Sequence, residues 1–475
     1  MVKDSVYTLA EELVQSNQKY AGEFLDLGKK ILGTTDRLLE IEVLFLSKQH
    51  SADDFYNQFV LKNILKFDFA LRTLISYQCI DYVERLIAIA ERRQENQFLT
   101  AIFRGTINNI KIYIDKIKQQ NVKEISKIIS LTRFVEESSA PIESYSNKCD
   151  TIDYRINVLV KRPKLSKTVR PIENLLLDFK SRDVLLKSKF DRLVVDHGVD
   201  KIYLLRNARL GGFNNDNWVL YDEERRYVKE QGMKFPALTG LTIEIPANRE
   251  IEKVYVLAFP HTANNYYHIV SEAVYSLRLL SYFEPNTPIL YIKDKYNVVE
   301  FFLNKMGISQ DRWISADKAR GIIFKRAYLI GRTNFYWNKD IYTFFSKFSC
   351  PPKSDFKKIY VSRTFSNDGI RKLKNERELE NKLSTMGFQI IHSEKLSLGE
   401  QIQIFSSAEI IVTPHGAGLT NILFCHAGFE LVELFSENFI TSDFFLRSFH
   451  SCKKYTPIIC VNNYVKIDDV VNAIS

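Results

Sequence analysis

Apolar residues recur at helical spacing through the first part of the chain, which has no proline in its first 140 residues. Over Leu9–Ile31 they follow one another at steps of three, four or seven residues, which predicts amphipathic helices. Gly33 and the polar residues after it are typical of a helix end and a new N-cap, and Ser51 predicts another cap. We therefore expect an all-helical bundle over residues 1–140, with a further helix over Ile107–Ile129.

The pattern changes after residue 140. Residues 141–200 contain Ser-, Pro- and Lys/Arg-rich stretches that predict a linker, followed by a connecting helix over Ile172–Phe190. Beyond residue 200, short apolar runs between turn residues predict strands, and from Val254 onward strands alternate with helices. This alternation predicts parallel, doubly wound sheets.

The alternation predicts two α/β domains, one over residues 201–350 and one over residues 351–475. The proline-containing segment Cys350–Ser354 would join them. The predicted fold class is thus α/β, with two Rossmann-like domains and an N-terminal all-helical domain. Ligands of such sheets bind at the carboxyl ends of the strands, so we expect a ligand cleft between the two domains.

The most informative stretch is Ala408–Phe435, with the sequence AEIIVTPHGAGLTNILFCHAGFELVELF. It predicts an apolar strand, a turn with two glycines, a short helix and a second strand. Glycine lets a turn approach a ligand closely, and a helix N-terminus favours phosphate; His415 lies in this turn. The alternative is an ordinary buried strand–turn–helix unit, because two glycines alone are a weak phosphate signal.

Composition narrows the possible partners. Of 475 residues, 45% are hydrophobic and 26% charged, which is typical of a globular protein with a real core. The net charge of +9 suits an anionic ligand or membrane surface and does not indicate nucleic acid. The six cysteines show no C-x-x-C or zinc-type spacing, which fits a reducing compartment. Because no signal peptide or membrane-spanning pattern is visible, we expect a cytoplasmic protein that can associate peripherally with the inner membrane.

A histidine and a carboxylate form the first candidate catalytic group. His268 and Glu272 are four residues apart on a predicted helix, so they share one helix face. Such a pair can act as a general base with its orienting partner. His261, a few residues earlier, is a third candidate. The alternative is a helix cap beside a buried histidine whose hydrogen bonds are structural.

A group of cations follows a later predicted strand and comprises Arg363, Arg371 and Lys372. Anions bind at such strand ends, and a guanidinium group matches phosphate oxygens geometrically. Ordinary surface charge is the alternative. The sequence has no phosphate-loop and no dinucleotide-binding motif, which counts against nucleoside triphosphatases and dinucleotide enzymes. It has no G-x-S-x-G motif, which counts against α/β-hydrolases, and no D-x-D motif, which counts against an Asp-bound metal ion on a nucleotide diphosphate.

Six motifs occur in a fixed order along the chain. They are Asn265-Tyr-Tyr-His268-x-x-x-Glu272, Tyr360-x-Ser-Arg363, Arg371-Lys-Leu-Lys-Asn-Glu376, Leu396-Ser-Leu-Gly-Glu-Gln401, His415-Gly-Ala-Gly-Leu-Thr-Asn421 and Val432-Glu433-Leu. In this combination they resemble glycosyltransferase family 61. The resemblance begins near Ile202 and leaves the helical part of the chain outside. It implies two Rossmann-like domains of the GT-B type, a nucleotide-sugar co-substrate, no cofactor, inversion at the anomeric carbon and, as a rule, no metal.

The resemblance also implies donor-binding roles. The turn that would hold the donor diphosphate comprises His415, Gly416, Ala417, Gly418, Leu419, Thr420 and Asn421. Arg363, with Arg371 or Lys372, would neutralise the diphosphate as it leaves. Glu433 would lie near the donor nucleoside or sugar. The family often has Arg-Arg where this chain has Arg371-Lys372, which weakens the case for Lys372 because lysine lacks the guanidinium fork.

On the acceptor side, Glu272, His268 or His261 would deprotonate the acceptor hydroxyl group, and the residues themselves do not rank the three. Without a visible signal anchor, the chain looks more like the bacterial members linked to capsular and other surface polysaccharides. The implied partners are a nucleotide sugar and a glycan or glycolipid acceptor, with no nucleic acid. The N-terminal helices would dock the protein to a membrane, to another protein or to a second copy.

The resulting hypothesis is a metal-independent, inverting glycosyltransferase of surface glycan synthesis. One rival is a nucleotide-sugar isomerase, which would convert the donor without any acceptor. The other is a non-catalytic scaffold that binds a glycan or a nucleotide and leaves the donor unaltered. Incubation of the protein with donor, in the presence and absence of acceptor, distinguishes the three.

Overall fold

The computed structural model describes the N-terminal helices, short segments between residues 103 and 257, and most of the chain from residue 263 onward. The described residues are 2–18, 20–62, 64–77, 79–95, 103–104, 107–108, 127–130, 133–134, 139–141, 157–160, 176–177, 200–212, 218–223, 225–227, 241–244, 246–257, 263–330, 339–365, 371–448 and 451–475.

The α-helices have the bounds α1 Val2–Gln15, α2 Ala21–Leu32, α3 Asp36–Gln49, α4 Ala52–Phe55, α5 Phe67–Ser76, α6 Ile80–Arg92, α7 Tyr266–His268, α8 Val298–Lys305, α9 Lys339–Ser346, α10 Glu376–Thr385, α11 Leu398–Ser407, α12 Asp443–Ser448 and α13 Ile467–Ile474. Shorter helical turns of the π type are Tyr56–Val60 and Ile269–Val274. Those of the 3-10 type are Leu277–Tyr282, Gln310–Arg312, Ala316–Ala319, Ser354–Phe356, Ser393–Lys395 and Ala417–Phe424.

The strands have the bounds β1 Lys127–Ser130, β2 Arg133–Phe134, β3 Ser139–Pro141, β4 Asn157–Val160, β5 Leu176–Leu177, β6 Asp200–Gly212, β7 Trp218–Tyr221, β8 Arg226–Tyr227, β9 Leu241–Glu244, β10 Arg249–Val256, β11 Ile289–Tyr291, β12 Trp313–Ser315, β13 Ile322–Ile330, β14 Lys358–Val361, β15 Gln389–Ile391, β16 Ile410–Pro414, β17 Phe429–Ser436 and β18 Cys452–Cys460.

Contacts between residues divide the chain into two compact units. The first unit comprises Met1–Glu136, Leu205–Lys253 and Ala316–Ala327. The second unit comprises Glu137–Leu204, Val254–Ser315 and Tyr328–Ser475. The domain limits predicted at residues 140, 200 and 350 stay a prediction. The mixed α/β architecture with an N-terminal helical region is confirmed.

The first unit begins with the predicted helices, and two of the predicted caps form. The Thr35 side chain accepts a hydrogen bond from the Leu38 amide, and the Ser51 side chain accepts one from the Asp54 amide. Each cap satisfies a backbone N–H group that the first helical turn leaves without a partner. The local sequence therefore sets where α3 and α4 begin.

The apolar positions predicted over Leu9–Ile31 divide between the core of α1, α2 and α3 and the surface, since Leu13 and Phe24 pack against that core. Leu27 and Ile31 remain 50% and 60% exposed. The buried set is Ala10, Val14, Ala21, Leu25, Leu38, Ile41 and Leu44. Small residues such as Ala10 and Gly28 let neighbouring helices approach closely, and larger side chains such as Leu25 and Ile41 fill the space between the helices. The predicted helices are thus confirmed, whereas their spacing alone does not specify which of the apolar residues are buried.

Strands also occur within the predicted all-helical segment, which corrects its C-terminal part. Lys127–Ser130 forms strand β1 and pairs with β9 in antiparallel register, with Ile129 opposite Thr242. The β-branched isoleucines of β1 favour a strand over the predicted helix. In the second unit, Leu176–Leu177 pairs in parallel with β18, although a helix was predicted there. Leucine favours a helix only weakly, and pairing between distant segments overrides that preference.

The second unit contains two α/β halves. We call Val254–Ser315 and Tyr328–Cys350 the earlier half and Pro351–Ser475 the later half, because their strands belong to different sheets. In the earlier half, the end of β10 pairs in parallel with β11, which pairs in parallel with β12. The helical segment that follows β10 begins at α7, where the Asn265 side chain accepts a hydrogen bond of 3.0 Å from the Tyr267 amide.

The later half is built on the parallel strand order β15-β14-β16-β17-β18, with β5 beyond β18. Alternate residues of these strands enter two separate cores, since Ile411 packs on one face of the sheet and Val412 on the other. Burial on both faces is typical of a doubly wound parallel sheet. Helix α11, Leu398–Ser407, begins where it does because Ser397 and Glu400 build a capping box.

One hydrophobic core includes residues of both halves. Phe302 of α8 stacks on Phe424, with ring centroids 5.9 Å apart and an interplanar angle of 14°. Phe345 of α9 contacts the same ring edge-on at 5.6 Å. The two halves are thus held together by aromatic packing, and polar side chains at their strand ends can meet.

Candidate functional site

A cavity of 480 Å³ lies between the two halves of the second unit, at the carboxyl ends of β14 and β16. The earlier half contributes Tyr266, Tyr296 and Val298. The later half contributes Val361, Ser362, Arg363, Phe365, Ser393, Glu394, Leu396, Ser397, Leu398, Gln401, Thr413, Pro414, Gly416, Ala417, Gly418 and Leu419. The cavity therefore lies where ligands of parallel α/β sheets bind.

The predicted glycine turn follows β16 and forms one wall of the cavity. The helix after it is the 3-10 segment Ala417–Phe424, whereas the sequence predicted a helix without specifying its type. Gly416 has an extended backbone, with φ of 172°. A Cβ atom at Gly416 would lie 1.7 Å from Nη1 of Arg363. Gly416 is thus glycine because the Arg363 side chain passes directly over it, and not because of its backbone angle.

The second glycine of the turn has a different environment. A Cβ atom at Gly418 would have Ser393 Oγ as its nearest neighbour, at 3.9 Å, which is an ordinary contact distance. The sequence treats the two glycines alike, but the structure separates them. Gly416 forms the slot for a guanidinium group, and Gly418 has room for a side chain.

The three predicted cations have different surroundings. Arg363 lines the cavity. Nζ of Lys372 donates a hydrogen bond of 2.9 Å to the carbonyl oxygen of Thr364. The Arg371 guanidinium lies 5.2 Å from the centre of the Phe439 ring. Arg363 is therefore the one of the three that the structure places directly at the cavity.

His415 and Glu433 form a buried pair behind the glycine turn. The distance between His415 Nδ1 and Glu433 Oε1 is 2.6 Å, and the other oxygen of Glu433 accepts a hydrogen bond from the Tyr455 hydroxyl. Burial, and secondarily the charge of Glu433, raises the pKa of Tyr455 well above its ordinary value. The strand register brings His415 and Glu433 together. Thr413, two residues before His415, lies opposite Glu433 in the ladder between β16 and β17.

Aromatic rings enclose His415. Phe435, Phe439 and Phe444 have ring centroids 5.4 Å, 5.3 Å and 5.3 Å from that of the imidazole. The residues after His415 line the cavity, whereas the imidazole itself packs among these rings. The structure thus places His415 and Glu433 beneath the turn that was predicted to bind the donor.

A chain of hydrogen bonds connects the two halves beside the cavity. The Tyr266 hydroxyl donates to Asn421 Oδ1 at 2.5 Å, and Asn421 Nδ2 donates to Gln401 Oε1 at 2.8 Å. Gln401 Nε2 in turn donates to the carbonyl oxygens of Ser393 and Leu396. Asn421, predicted as a donor-binding residue, is therefore engaged in joining the two halves. Tyr266 and Gln401 belong to the motifs in the sequence, but their partnership required the folded chain.

Thr420, another predicted donor-binding residue, is also buried. Its hydroxyl donates a hydrogen bond of 2.7 Å to the carbonyl oxygen of Ala417 within the same helical turn. Thr420 thus stabilises the turn, and Gly416 to Leu419 form the part of it that lines the cavity.

The His268–Glu272 pair forms as predicted by its spacing. His268 Nδ1 lies 2.8 Å from Glu272 Oε1, and Glu272 is the more deeply buried of the two. The Tyr267 ring lies edge-on to His268 at 5.1 Å and contacts Phe444 at 5.7 Å. Since Phe444 also contacts His415, a short aromatic path connects the two histidine–carboxylate pairs. His261, the third candidate base, lies outside the described residues.

An exposed aromatic ring at the cavity was missed from the sequence. Phe365 is 53% exposed although it lines the cavity. Nζ of Lys395 lies 3.7 Å from the centre of its ring, and the His392 ring contacts it edge-on at 4.9 Å. A large ring left exposed beside a cavity can stack on a planar or cyclic ligand group.

These features define a mixed α/β protein with a cavity at its strand ends, lined by Arg363 and the glycine turn. The family model described as Glycosyltransferase 61 matches residues 49–432. The chain belongs to glycosyltransferase family 61, which suggests that it is an enzyme of the transferase class. The match begins at the end of α3, so it reaches well beyond the start near Ile202 that the motifs indicated. It ends within β17, one residue before Glu433.

A search of curated proteins found no match to the chain. Among the helices within the described ranges, none has both the length and the apolar character that a membrane span requires.

Proposed function

We propose that the protein is an inverting glycosyltransferase of the GT-B type. It would transfer a sugar from a nucleotide-sugar donor to a glycan or lipid-linked acceptor during bacterial surface polysaccharide synthesis, on the cytoplasmic side of the membrane. Family membership supports the transferase class. The observation that carries the donor site is the Arg363 guanidinium, which passes over Gly416 at the wall of the cavity.

The diphosphate of the donor would bind against the turn from Gly416 to Leu419. Backbone N–H groups at the start of the helical turn and the Arg363 guanidinium are the donors that phosphate oxygens require. The cavity volume of 480 Å³ falls within the range of about 300–1,000 Å³ that is typical of small-molecule sites. In this proposal Arg363 supplies the positive charge that stabilises the diphosphate as it leaves.

The exposed ring of Phe365 would form the outer part of the donor site. The ring lies beside the cavity and is 53% exposed, so a nucleobase could stack on it while the diphosphate reaches Arg363. Glu394, which lines the same region, could accept hydrogen bonds from the nucleoside.

The acceptor hydroxyl would lose its proton to the His268–Glu272 pair. Inversion requires one in-line displacement, in which the acceptor oxygen attacks the anomeric carbon as the diphosphate leaves and a general base takes the hydroxyl proton. The 2.8 Å contact would let Glu272 orient His268, or let His268 orient Glu272, so both assignments stay open. In this proposal His415 and Glu433 support the donor turn from behind.

Incubation of the full-length protein with a panel of nucleotide sugars tests the proposal, with and without acceptor glycan from cells. Release of nucleoside diphosphate together with a sugar-extended acceptor is the expected result. Conversion of the donor in the absence of acceptor would favour the isomerase. A donor that binds and stays intact with its acceptor present would favour the non-catalytic scaffold.

A further inference from the structure

Two carboxylates of α10 face the loop that contains Arg363. Glu376 and Glu380 are one helical turn apart, so both side chains project from the same face of α10. Oε1 of Glu376 accepts hydrogen bonds from the Arg363 amide at 2.6 Å and from the Tyr360 hydroxyl at 2.9 Å. Glu376, the last residue of the motif that begins at Arg371, therefore contacts the backbone of Arg363, which itself lines the cavity.

Glu380 contacts the residues on either side of Arg363. Its Oε1 accepts hydrogen bonds from Ser362 Oγ at 2.6 Å and from Thr364 Oγ1 at 2.8 Å. The Thr364 amide also donates to Ser362 Oγ at 3.0 Å, and Lys372 donates to the Thr364 carbonyl oxygen. Three consecutive residues, Ser362 to Thr364, are thus held by side chains from outside the loop.

Burial of the Glu376 carboxyl group costs free energy, because it removes the group from water. Glu376 is 3% exposed, while Leu379 and Leu383 of the same helix pack in the apolar core. A carboxylate in such a place is tolerated when it accepts strong hydrogen bonds, and a leucine there would pack as well without any polar cost. What the carboxylate adds is a fixed position for the Arg363 backbone.

The Arg363 side chain is restricted at its other end. Its guanidinium group lies in the slot over Gly416, so the backbone is held by α10 and the side chain by the turn after β16. A long arginine side chain has many conformations when unrestrained, and restraint at both ends removes most of that freedom before a ligand binds. Preorganised donors stabilise developing charge best.

We propose that Glu376 and Glu380 are positioning residues that hold the Ser362–Thr364 loop so that the Arg363 guanidinium meets the donor diphosphate. This inference rests on the proposed function for the identity of the ligand, a diphosphate. The restraint of the loop by the two glutamates does not depend on any ligand. Neither glutamate lines the cavity among the residues that the structure describes there, so both act through Arg363.

Methionine variants of the full-length protein test this inference. Glu376→Met keeps the side-chain length and the helix preference but removes the acceptor, while Glu376→Gln retains an acceptor oxygen. Glu378→Met is the matched control, since Glu378 is exposed on the same helix. Binding of UDP, GDP and inorganic pyrophosphate is measured by calorimetry, and exchange of the Arg363 amide proton is measured without ligand.

The expected result is that Glu376→Met weakens diphosphate binding about ten-fold and speeds exchange of the Arg363 amide. Glu376→Gln should keep most of both properties, and Glu378→Met should match the wild type. Glu380→Met serves as the second variant if Glu376→Met does not fold, with faster exchange at Thr364 as its readout. Unchanged binding in Glu376→Met, or weaker binding without faster exchange at Arg363, would overturn the inference.

The same measurements separate this inference from the proposed donor site. If the wild type binds none of the three diphosphates but Glu376→Met still speeds exchange at Arg363, the carboxylates do hold the loop and the donor assignment fails. If neither binding nor faster exchange is observed, both proposals fail.

Discussion

The two halves of the second unit bring their reactive side chains together in different ways. In the earlier half, His268 and Glu272 meet because they are four residues apart on one helical segment. In the later half, His415 and Glu433 are 18 residues apart and meet because β16 pairs with β17. A local pair can be deleted with little effect on the fold, whereas a pair made by strand register is part of the fold. Activity and stability should therefore respond differently in the two halves.

The largest effect should be on activity, from substitutions in the local pair. We expect Glu272→Gln and His268→Ala to reduce the rate of sugar transfer by roughly 10²–10⁴-fold, because they remove or misplace the general base. If His268 is the base, His268→Ala should be the slower of the two; if Glu272 is the base, the order reverses. Initial rates at saturating donor measure this.

Circular dichroism should show that both variants remain folded. Full transfer activity in both variants would mean that the His268–Glu272 pair is not the catalytic group.

The next largest effect should be on stability, from the pair made by register. Glu433→Ala should lower the free energy of unfolding by about 3–5 kcal/mol, because it leaves the buried His415 imidazole and the Tyr455 hydroxyl without their acceptor. Urea unfolding followed by tryptophan fluorescence measures the change. Glu272→Ala is the matched control, with an expected loss of about 1–2 kcal/mol.

Equal destabilisation by Glu433→Ala and Glu272→Ala would contradict the distinction between the two pairs. It would mean that the helical pair is as much a part of the fold as the pair between strands.

The same distinction explains what the sequence could predict. The His268–Glu272 contact and the bounds of α11 depend on residues within one or two helical turns, as in the capping box of Ser397 and Glu400. Periodicity and cap rules describe such contacts directly. Much of the alternation of strands and helices after Val254 was predictable for the same reason, but β12 and α9 were not predicted.

Contacts between distant segments were not predictable. The passage of Arg363 over Gly416 needs β14 beside β16, and a glycine in a sequence gives no sign that its missing side chain makes room for a residue 53 positions earlier. In the first unit, spacing alone does not distinguish Phe24, which packs against the core, from Leu27 and Ile31, which are half-exposed. Periodicity identifies a helix, but close packing decides which face is buried.

Alanine substitutions at the two glycines of the turn test whether a contact between distant segments controls ligand binding. Gly416→Ala should weaken UDP binding about 100-fold, because the new methyl group would displace the Arg363 guanidinium by an ångström or more. Gly418→Ala, which has room for its methyl group, should bind UDP within about two-fold of the wild type. Calorimetric titration with UDP measures both.

Thermal unfolding of the two glycine variants should be similar, since neither residue has the positive φ that alanine avoids. A comparable loss of UDP affinity in both variants would remove the special role assigned to Gly416.

The smallest effect should be a dependence of stability on pH that comes from Glu376. Burial raises its pKa above the ordinary carboxyl value, and the nearby Glu380 acts in the same direction; the Arg363 amide, the Tyr360 hydroxyl and the Arg363 charge oppose the rise. The folded protein therefore holds a proton at pH values where the unfolded chain has lost it. It follows that the contribution of Glu376 to stability falls as pH rises from the ordinary carboxyl pKa through the raised one.

Glu376→Gln cannot titrate, so the difference in unfolding free energy between wild type and variant should shift in favour of the variant as pH rises through that window. Urea midpoints between pH 4 and pH 7 measure the difference, and Glu378→Gln, at an exposed position of the same helix, should show none. A difference that stays constant with pH would mean that folding leaves the pKa of Glu376 unchanged, with its hydrogen bonds to Arg363 and Tyr360 fully offsetting burial. In that case the later half would tolerate a buried carboxylate as readily as the earlier half tolerates Glu272, and the contrast between the halves would lie in geometry alone.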